Sequence, residues 1–557
     1  MKWLSDYRMK TVLAGVVAAI VFGGGRAKAD FTFGEPTNLG PKVNTRFMDR
    51  GGSLSADGLM LFFDCDKPDF GKFHIYMVIR DAVDDDWSDP VDLGPIINDQ
   101  MYSETEPAIS SDGLELYYSW GAPRALGIDK DLYVSTRNHS TDRWANPVSL
   151  GTLVNGPGNE RGPTISGDGL SLYFESDRPD GFGGRDLWVT TRATRDDDWA
   201  APVNLGAMLN GSGDDFAPSV TADNLTLIFS SDRPGSTGEY ADVWVTTRRS
   251  ASDPWREPIN LGPIINTDDE DFARISPDGT MLFVTYWKRA GGRGLDDIWQ
   301  VPVLPIVDFN GDGNVDGADI NIMVDHWGQD SSLCDIGPTA WGDGVVNVRD
   351  LAVLAEYIGK DVDDPTLVAH WALDENAGII AADGVGQNDA VVISDPTWQP
   401  EDGQVGGTLQ FDGVDDCVIT PSILNPAERP FTVLAWVKGG APGQVIISQQ
   451  GSADWLMLDP VTGVLMTELK SGGRSGAALL YSDAIITDGA WHRVGFTWDG
   501  LTRSLYVDDV LVAEDAQNEL ASCSGGLKIG TGHNMAPASY WTGLIDDVRI
   551  YNRAVQP

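Results

Sequence analysis

The stretch "TISGDGLSLYFESDRPDGFGGRDLWVTTR", residues 164–192, contains a tight turn, a strand, a loop rich in Pro and Gly, and a second strand. Alternation with period two in "LSLYF" sends one set of side chains to a single core. The unit recurs. Its turns "SLSADG", "AISSDG", "TISGDG", "SVTADN" and "RISPDG" place Asp57, Asp112, Asp168, Asp223 and Asp278 in register across residues 33–303, a period of about 55. Gly follows that Asp in four copies and Asn224 in one; these two residue types most readily accept positive φ, so a tight hairpin turn is expected. The strands "LMLFF", "LELYY", "LSLYF", "LTLIF" and "TMLFV" follow, then "HIYMVIR", "DLYVSTR", "DLWVTTR", "DVWVTTR" and "DIWQVPV".

Each unit continues into "WSDPVDLG", "WANPVSLG", "WAAPVNLG" or "WREPINLG", and Asn98, Asn155, Asn210 and Asn266 stand four residues past the Gly. The fifth copy is displaced to the other end of the block. There "FGEPTNLG" carries Phe33 in the Trp position, and Asn44 completes the pattern. An outermost strand supplied from the opposite end closes a ring and leaves no open sheet edge, which predicts a five-bladed β-propeller over residues 30–305. The repeats resemble the TolB-like, WD-type propellers of bacterial exported proteins. Propellers host many unrelated activities, so the resemblance implies a fold and no chemistry. The Asp and Trp that recur in every blade read as turn formers and packing residues. Catalytic carboxylates are expected to be unique to one blade; Asp129, Glu160, Asp215 and Glu239 are unranked candidates, and no catalytic residue is assigned.

A chain of 557 residues exceeds what one core supports, and 42% hydrophobic residues with 19 Trp suit packed β structure. The net charge of −44 repels phosphate backbones and anionic membranes, which argues against a nucleic-acid partner and favours hard cations. A basic start, the apolar run "TVLAGVVAAIVF" and "AKA" before Asp30 read as a signal peptide over 1–29, cleaved near Ala29. A secreted or periplasmic protein without membrane insertion is therefore expected. Cys65, Cys334, Cys417 and Cys523 are too few for a disulfide scaffold; pairing of Cys417 with Cys523 is left open.

The segment "DFNGDGNVDGAD" sets Asp308, Asn310, Asp312, Asn314, Asp316 and Asp319 at positions 1, 3, 5, 7, 9 and 12 of a calcium loop, with Gly313 at the sharp turn. A helical pattern follows, and a second loop and helix end near 360. This pair resembles a type I dockerin over residues 306–360, a small α-helical module whose family implies a cohesin-like partner. In the second loop Asp343 and Asp350 keep their places, whereas Thr339 and Trp341 replace ligands. "CDIGPTAW" reads as an insertion, with Asp335 as a substitute first ligand.

After a linker at 361–366, residues 367–557 alternate apolar and polar residues between Gly and Asp turns, the pattern of a two-sheet sandwich. "FDGVDD", "WHRVGFTWDG" and "GLIDDVRIYNRA" resemble a laminin-G-like, concanavalin A-like jelly roll. The resemblance implies glycan or protein binding and a structural calcium, for which Asp374, Glu375 and Asp546 are the matching positions. Trp455, Tyr540 and Trp541 are candidate sugar-stacking residues; His533 lies beside them without a carboxylate partner at a recognisable spacing.

The fold class expected is thus mainly β: propeller, small helical calcium module, jelly roll. The function expected is calcium-dependent binding of a glycan or cell-surface ligand, or adhesion. The alternative is a glycoside hydrolase or polysaccharide lyase on the propeller, with the jelly roll as its carbohydrate-binding module. No G-x-S-x-G, H-E-x-x-H or phosphate loop is present.

Overall fold

A computed structural model describes residues 31–67, 72–99, 101–121, 130–236, 241–262, 264–267, 270–329, 331, 334–360, 364–471 and 479–557. The expected signal peptide, and Asp129 and Glu239, lie outside the described residues.

The repeats fold as five four-stranded antiparallel blades around an axis. In the third blade Glu160–Ile165, Ser171–Ser176, Asp186–Thr191 and Val203–Asn204 run from the axis outward. The fifth blade consists of Glu270–Ile275, Met281–Trp287 and Asp296–Pro305, and its outermost strand is Thr37–Asn38, with Asn38 opposite Trp299. Phe31–Phe33 adds a second pairing, Phe33 opposite Val303. Phe33 and Trp299 share one buried cluster, so the ring closes as the displaced fifth repeat predicts.

Every recurring residue has a structural task. The turn Asp accepts from the hydroxyl two residues before it, Ser166 to Asp168 at 2.6 Å for instance, and from the amide two residues on. The recurrent Trp packs on the preceding blade, as Trp144 does on Phe62 and Trp255 on Tyr173, with an Arg over its outer face. The recurrent Asn bonds both backbone groups of one residue on the third strand: Asn155 with Leu132, Asn210 with Leu187.

Helices Gly317–Asp325 and Val348–Tyr357 follow, capped by Asp316 and Asn347, with Asp319 and Asp350 reaching back to complete each capping box. Val307, Phe309, Met323, Cys334, Ile336 and Leu354 form their common core. The insertion before the second loop has a use that the sequence does not disclose. It delivers Trp341 to the propeller, 4.4 Å from the Phe31 ring, with its indole N–H donated to the Gly279 carbonyl at 2.7 Å. On its other side the module meets the sandwich: Tyr551 Oη and Arg493 Nη2 each donate to the Gly311 carbonyl at 2.9 Å, and Arg553 Nη2 to the Asp308 carbonyl at 2.7 Å.

The C-terminal block consists of two eight-stranded sheets enclosing one core. Its first strand, Leu367–Trp371, pairs antiparallel with its last, Thr542–Tyr551. All four cysteines are free thiols, so Cys417 and Cys523 do not pair. Among the described residues no helix is long and apolar enough to cross a membrane.

Candidate functional site

The innermost strands line the propeller axis, and each begins with a buried carboxylate: Asp49, Glu104, Glu160, Asp215 and Glu270. Glu160 accepts from Ser176 Oγ and Arg178 Nη2, and Asp215 from Arg233 Nη2 at 2.7 Å. Being repeated and internally satisfied, Glu160 and Asp215 are scaffold, which removes them from the catalytic candidates. Glu104 is the exception. Among the described residues no side chain bonds to either of its oxygens, and in the sequence the repeat column that holds Arg178 and Arg233 carries Ala122.

Two residues further along, every strand but the fifth has positive φ at a bulge: Gly51 at 78°, Glu106 at 58°, Gly162 at 59° and Ala217 at 50°. A left-handed conformation costs a residue with a side chain roughly 1–2 kcal/mol, and Gly avoids that cost. Glu106 accepts it. Bulges re-aim side chains and gather beside functional sites. Here the carboxylate is turned inward, where Oε2 accepts from Ser119 Oγ at 2.8 Å and from the Gly162 amide at 3.0 Å.

The second strands show the same departure from repetition. One side chain on each accepts the amide of the neighbouring blade's bulge: Gly51 N–H goes to Thr285 Oγ1, Glu106 to Asp64, Gly162 to Ser119 and Ala217 to Glu175. Thr and Ser suffice for this contact, so Asp64 and Glu175 add charge that the contact does not require. Arg274 occupies the position of Ser53, Ala108, Thr164 and Ser219, is 4% exposed, and donates Nη1 to the Pro218 carbonyl at 2.5 Å. Asp64 faces Arg50 at 3.5 Å, Glu175 faces Arg185 at 3.3 Å, and Lys130 Nζ donates to Thr105 at 2.7 Å.

These surroundings push the carboxyl groups apart. Burial raises Asp64 to about 6, with Arg50 opposing and Glu106 adding to the shift. Burial raises Glu175 as well, against the pull of Arg185. At Glu106 burial works in the same sense, yet Lys130, the Ser119 and Gly162 donors and Arg161 outweigh it and hold the group below the usual range. Aromatic faces interleave with the charges: Arg50 lies 3.8 Å from the Phe73 centroid and Arg185 3.8 Å from that of Phe216. Arg50, Phe73, Lys130, Arg161 and Arg185 are partly exposed, which opens this end to solvent. At the far end a cavity of ≈ 40 Å³ between Ser53, Thr164, Ser219 and Arg274 has room for little more than water. A ligand would engage the mouth and would not pass through.

None of the residues that make this mouth was singled out by motif. The available signal was the odd charge in a repeat column, Glu106 against Gly51 and Gly162.

The loop at 308–319, expected from sequence to bind calcium, folds around its carboxylates. Asp308 accepts from the amides of Gly311, Asp312 and Gly313, and Asp319 from those of Phe309 and Asp316. Asp312 accepts from the Asn314 amide at 2.8 Å, and Asn310 Oδ1 from that of Asp312 at 3.1 Å. Burial pushes Asp308 up to about 6, with Asp312 and Asp319 adding repulsion. In the second loop Asp335 accepts from Asp343 and Gly344, as Asp308 does from Gly313, and Asp350 accepts from Gly337 and Asn347, as Asp319 does from Phe309 and Asp316. Asp335 therefore takes the place expected of the first ligand. Asp343 is also claimed by Arg349 Nη1 at 2.9 Å.

In the sandwich Asp374 is brought against Asp546, whose carboxyl is pushed up to about 7 by burial and by the neighbouring Asp547 and Asp374. Asp546 Oδ2 accepts from Gln404 and Val405 while Oδ1 is buried without a partner, which suits a cation. Glu375 Oε1 turns to the Ala382 amide at 2.7 Å. Trp455 and Trp541 are fully buried in the core and Tyr540 is buried as well, so these three offer no stacking face. Trp455 is on strand Asp454–Leu458 and its side chain is buried in the core. His533 does have a carboxylate partner: Asp454 Oδ1 lies 3.0 Å from its Nδ1, and Glu468 completes a group close enough to share a cation.

A family model described as the Concanavalin A-like lectin/glucanases superfamily matches residues 412–557. No curated protein matches the chain. A Trypanosoma rangeli sialidase in complex with sialic acid is 14% identical at a TM-score of 0.46, over 95% of this chain and 95% of that one. Domain 4 of a GH43 extracellular arabinanase from Geobacillus stearothermophilus, in complex with arabinotriose, is 17% identical at a TM-score of 0.27, over 35% of this chain and 95% of its own. Likeness at this level assigns no activity. The chain itself carries a five-bladed propeller and a concanavalin A-like jelly roll.

Proposed function

We propose that this is an exported carbohydrate-recognition protein in which the mouth of the propeller holds the saccharide and the jelly roll is the accessory binding module. The observation that carries the reading is Glu106, a carboxylate held in a left-handed backbone conformation where other blades place Gly51, Gly162 and Ala217. It faces an open mouth where charged donors alternate with aromatic faces, the combination of polar specificity and apolar stacking that sugars need. The helical module, dockerin-like in its loops, joins the two β domains through Trp341 on one side and Gly311 on the other, and calcium bound by Asp308, Asn310, Asp312, Asn314, Asp316 and Asp319 would stiffen that joint. Asp335, Asp343 and Asp350 would form a second calcium site, Asp374 and Asp546 a third. A cohesin-like partner remains the module's proposed outside contact.

The test is glycan binding by the full chain, compared with Glu106→Ala. Ala217 occupies the equivalent conformation, so the variant is expected to fold. Loss of binding supports the mouth as the site; undiminished binding rejects it.

A second reading, hydrolysis or elimination at the same mouth, is favoured by one observation. Asp64, raised to about 6, and Glu106, held low, are neighbouring carboxyl groups whose proton affinities are pushed apart, as an acid and a base require. Product formation abolished by both Asp64→Asn and Glu106→Gln would establish it; binding without turnover would reject it.

A further inference from the structure

The cations at the propeller mouth are unevenly paired. Arg50 reaches Asp64 and Asp296, and Arg185 reaches Glu175 and Asp214. Lys130, Arg161 and Arg274 have no carboxylate within ion-pair distance among the described residues; Glu106 acts on all three from farther away, and Asp64 on Lys130 and Arg274. Their donors are not spent either: Arg274 Nη2 and Arg161 Nε are buried without a hydrogen-bond partner, and Lys130 makes one bond, to Thr105. A buried guanidinium N–H left unpaired is costly, and an arriving anionic oxygen is the group that would satisfy it.

We infer that the mouth takes an acidic saccharide, one whose carboxylate or sulfate settles against Arg161 and Lys130 beside Glu106, with Arg274 deeper on the axis adding its charge. The inference rests on the proposed saccharide site and names its ligand class. Nonspecific attraction cannot imitate it, because a chain of net charge −44 repels polyanions at long range. A preference for acidic sugars must come from the local cations.

The experiment is calorimetric titration of the full chain with three kinds of probe. These are uronic-acid trimers (galacturonate, glucuronate and mannuronate), the same trimers after carboxyl reduction, and monosulfated neutral trimers. At least one uronate or sulfated trimer is expected to bind about tenfold or more tightly than its neutral counterpart, the worth of one charge-assisted contact. The sulfated arm tells whether a planar carboxylate or charge alone is read. Arg161→Gln, at a position held by Thr105 and Phe216 in other blades, is expected to erase that difference without shifting the melting temperature. Neutral trimers binding as tightly as acidic ones, with Glu106→Ala still abolishing both, would overturn the acidic preference and leave the saccharide site standing. Binding that neither variant alters, or no binding by any trimer, would overturn the site itself.

Discussion

Asn44 bonds both backbone groups of Ile298, accepting its N–H and donating to its carbonyl at 2.8 Å in each case, across 254 residues of sequence. The other four blades make the same contact over 23 residues, Asn98 with Ile75 for example. One device therefore builds four blades locally and closes the ring in the fifth.

Asn44→Ala leaves the buried Ile298 amide unpaired, while the carbonyl keeps the Leu39 amide at 3.2 Å, and is expected to cost about 1–3 kcal/mol in urea unfolding. Asn210→Ala removes the same two bonds within a blade and should cost about as much. Only the Asn44 variant should also expose the 31–38 segment to protease.

Glu104 supplies a pH dependence. Burial raises its folded-state pKa from 4.5 to about 8, against the pull of the Asp99 backbone and Lys72. The folded protein therefore binds a proton that the unfolded chain has already released. Its stabilising contribution is complete below about pH 4.5 and is lost as pH rises through about 8, a change of order 3–5 kcal/mol. Glu104→Gln should remove this slope, leaving stability at pH 5 nearly unchanged and raising it at pH 9.

Trp341→Ala should loosen the helical module from the propeller. The loss of a buried indole against Phe31 and Phe33 is worth about 3–5 kcal/mol. Calorimetry is expected to show coupled melting of the two parts in wild type and separate transitions in this variant, while Trp341→Phe, which keeps the packing and loses the bond to Gly279, should give a smaller change.

Chelation should act at the opposite face of that module. Because the carbonyls of Asp308 and Gly311 anchor Arg553 and Tyr551, removing calcium from the first loop is expected to lower the melting temperature of the jelly roll as well as that of the helices. Calcium at a thousandfold excess over its Kd restores about 4 kcal/mol. In Asp319→Ala the share of this response that comes from the first loop should be lost.

Much of this architecture could be read from local pattern. Turn Asp, alternating strand and displaced Phe33 are short-range signals, and five repetitions convert them into a count of blades and a closure. The proposed calcium loop stands out in the sequence for the same reason, since the residues expected to ligate fall within twelve consecutive positions. Asp335 could be suspected from spacing alone, because an insertion moves a ligand along the chain without changing what the loop needs.

The proposed mouth was not legible in that way. Glu106, Asp64, Glu175, Lys130 and Arg274 come from four of the five blades and meet only because the inner strands converge on an axis. Trp455 and Trp541 misled for a related reason: alternation tells that a strand has two faces, and only sheet packing tells which face a given indole joins. Sequence by itself determined what repeats, since hairpins and cation loops are set by backbone geometry over a few residues. Tertiary structure alone decided what differs, since burial and Coulomb interaction act through space between side chains that the chain holds far apart.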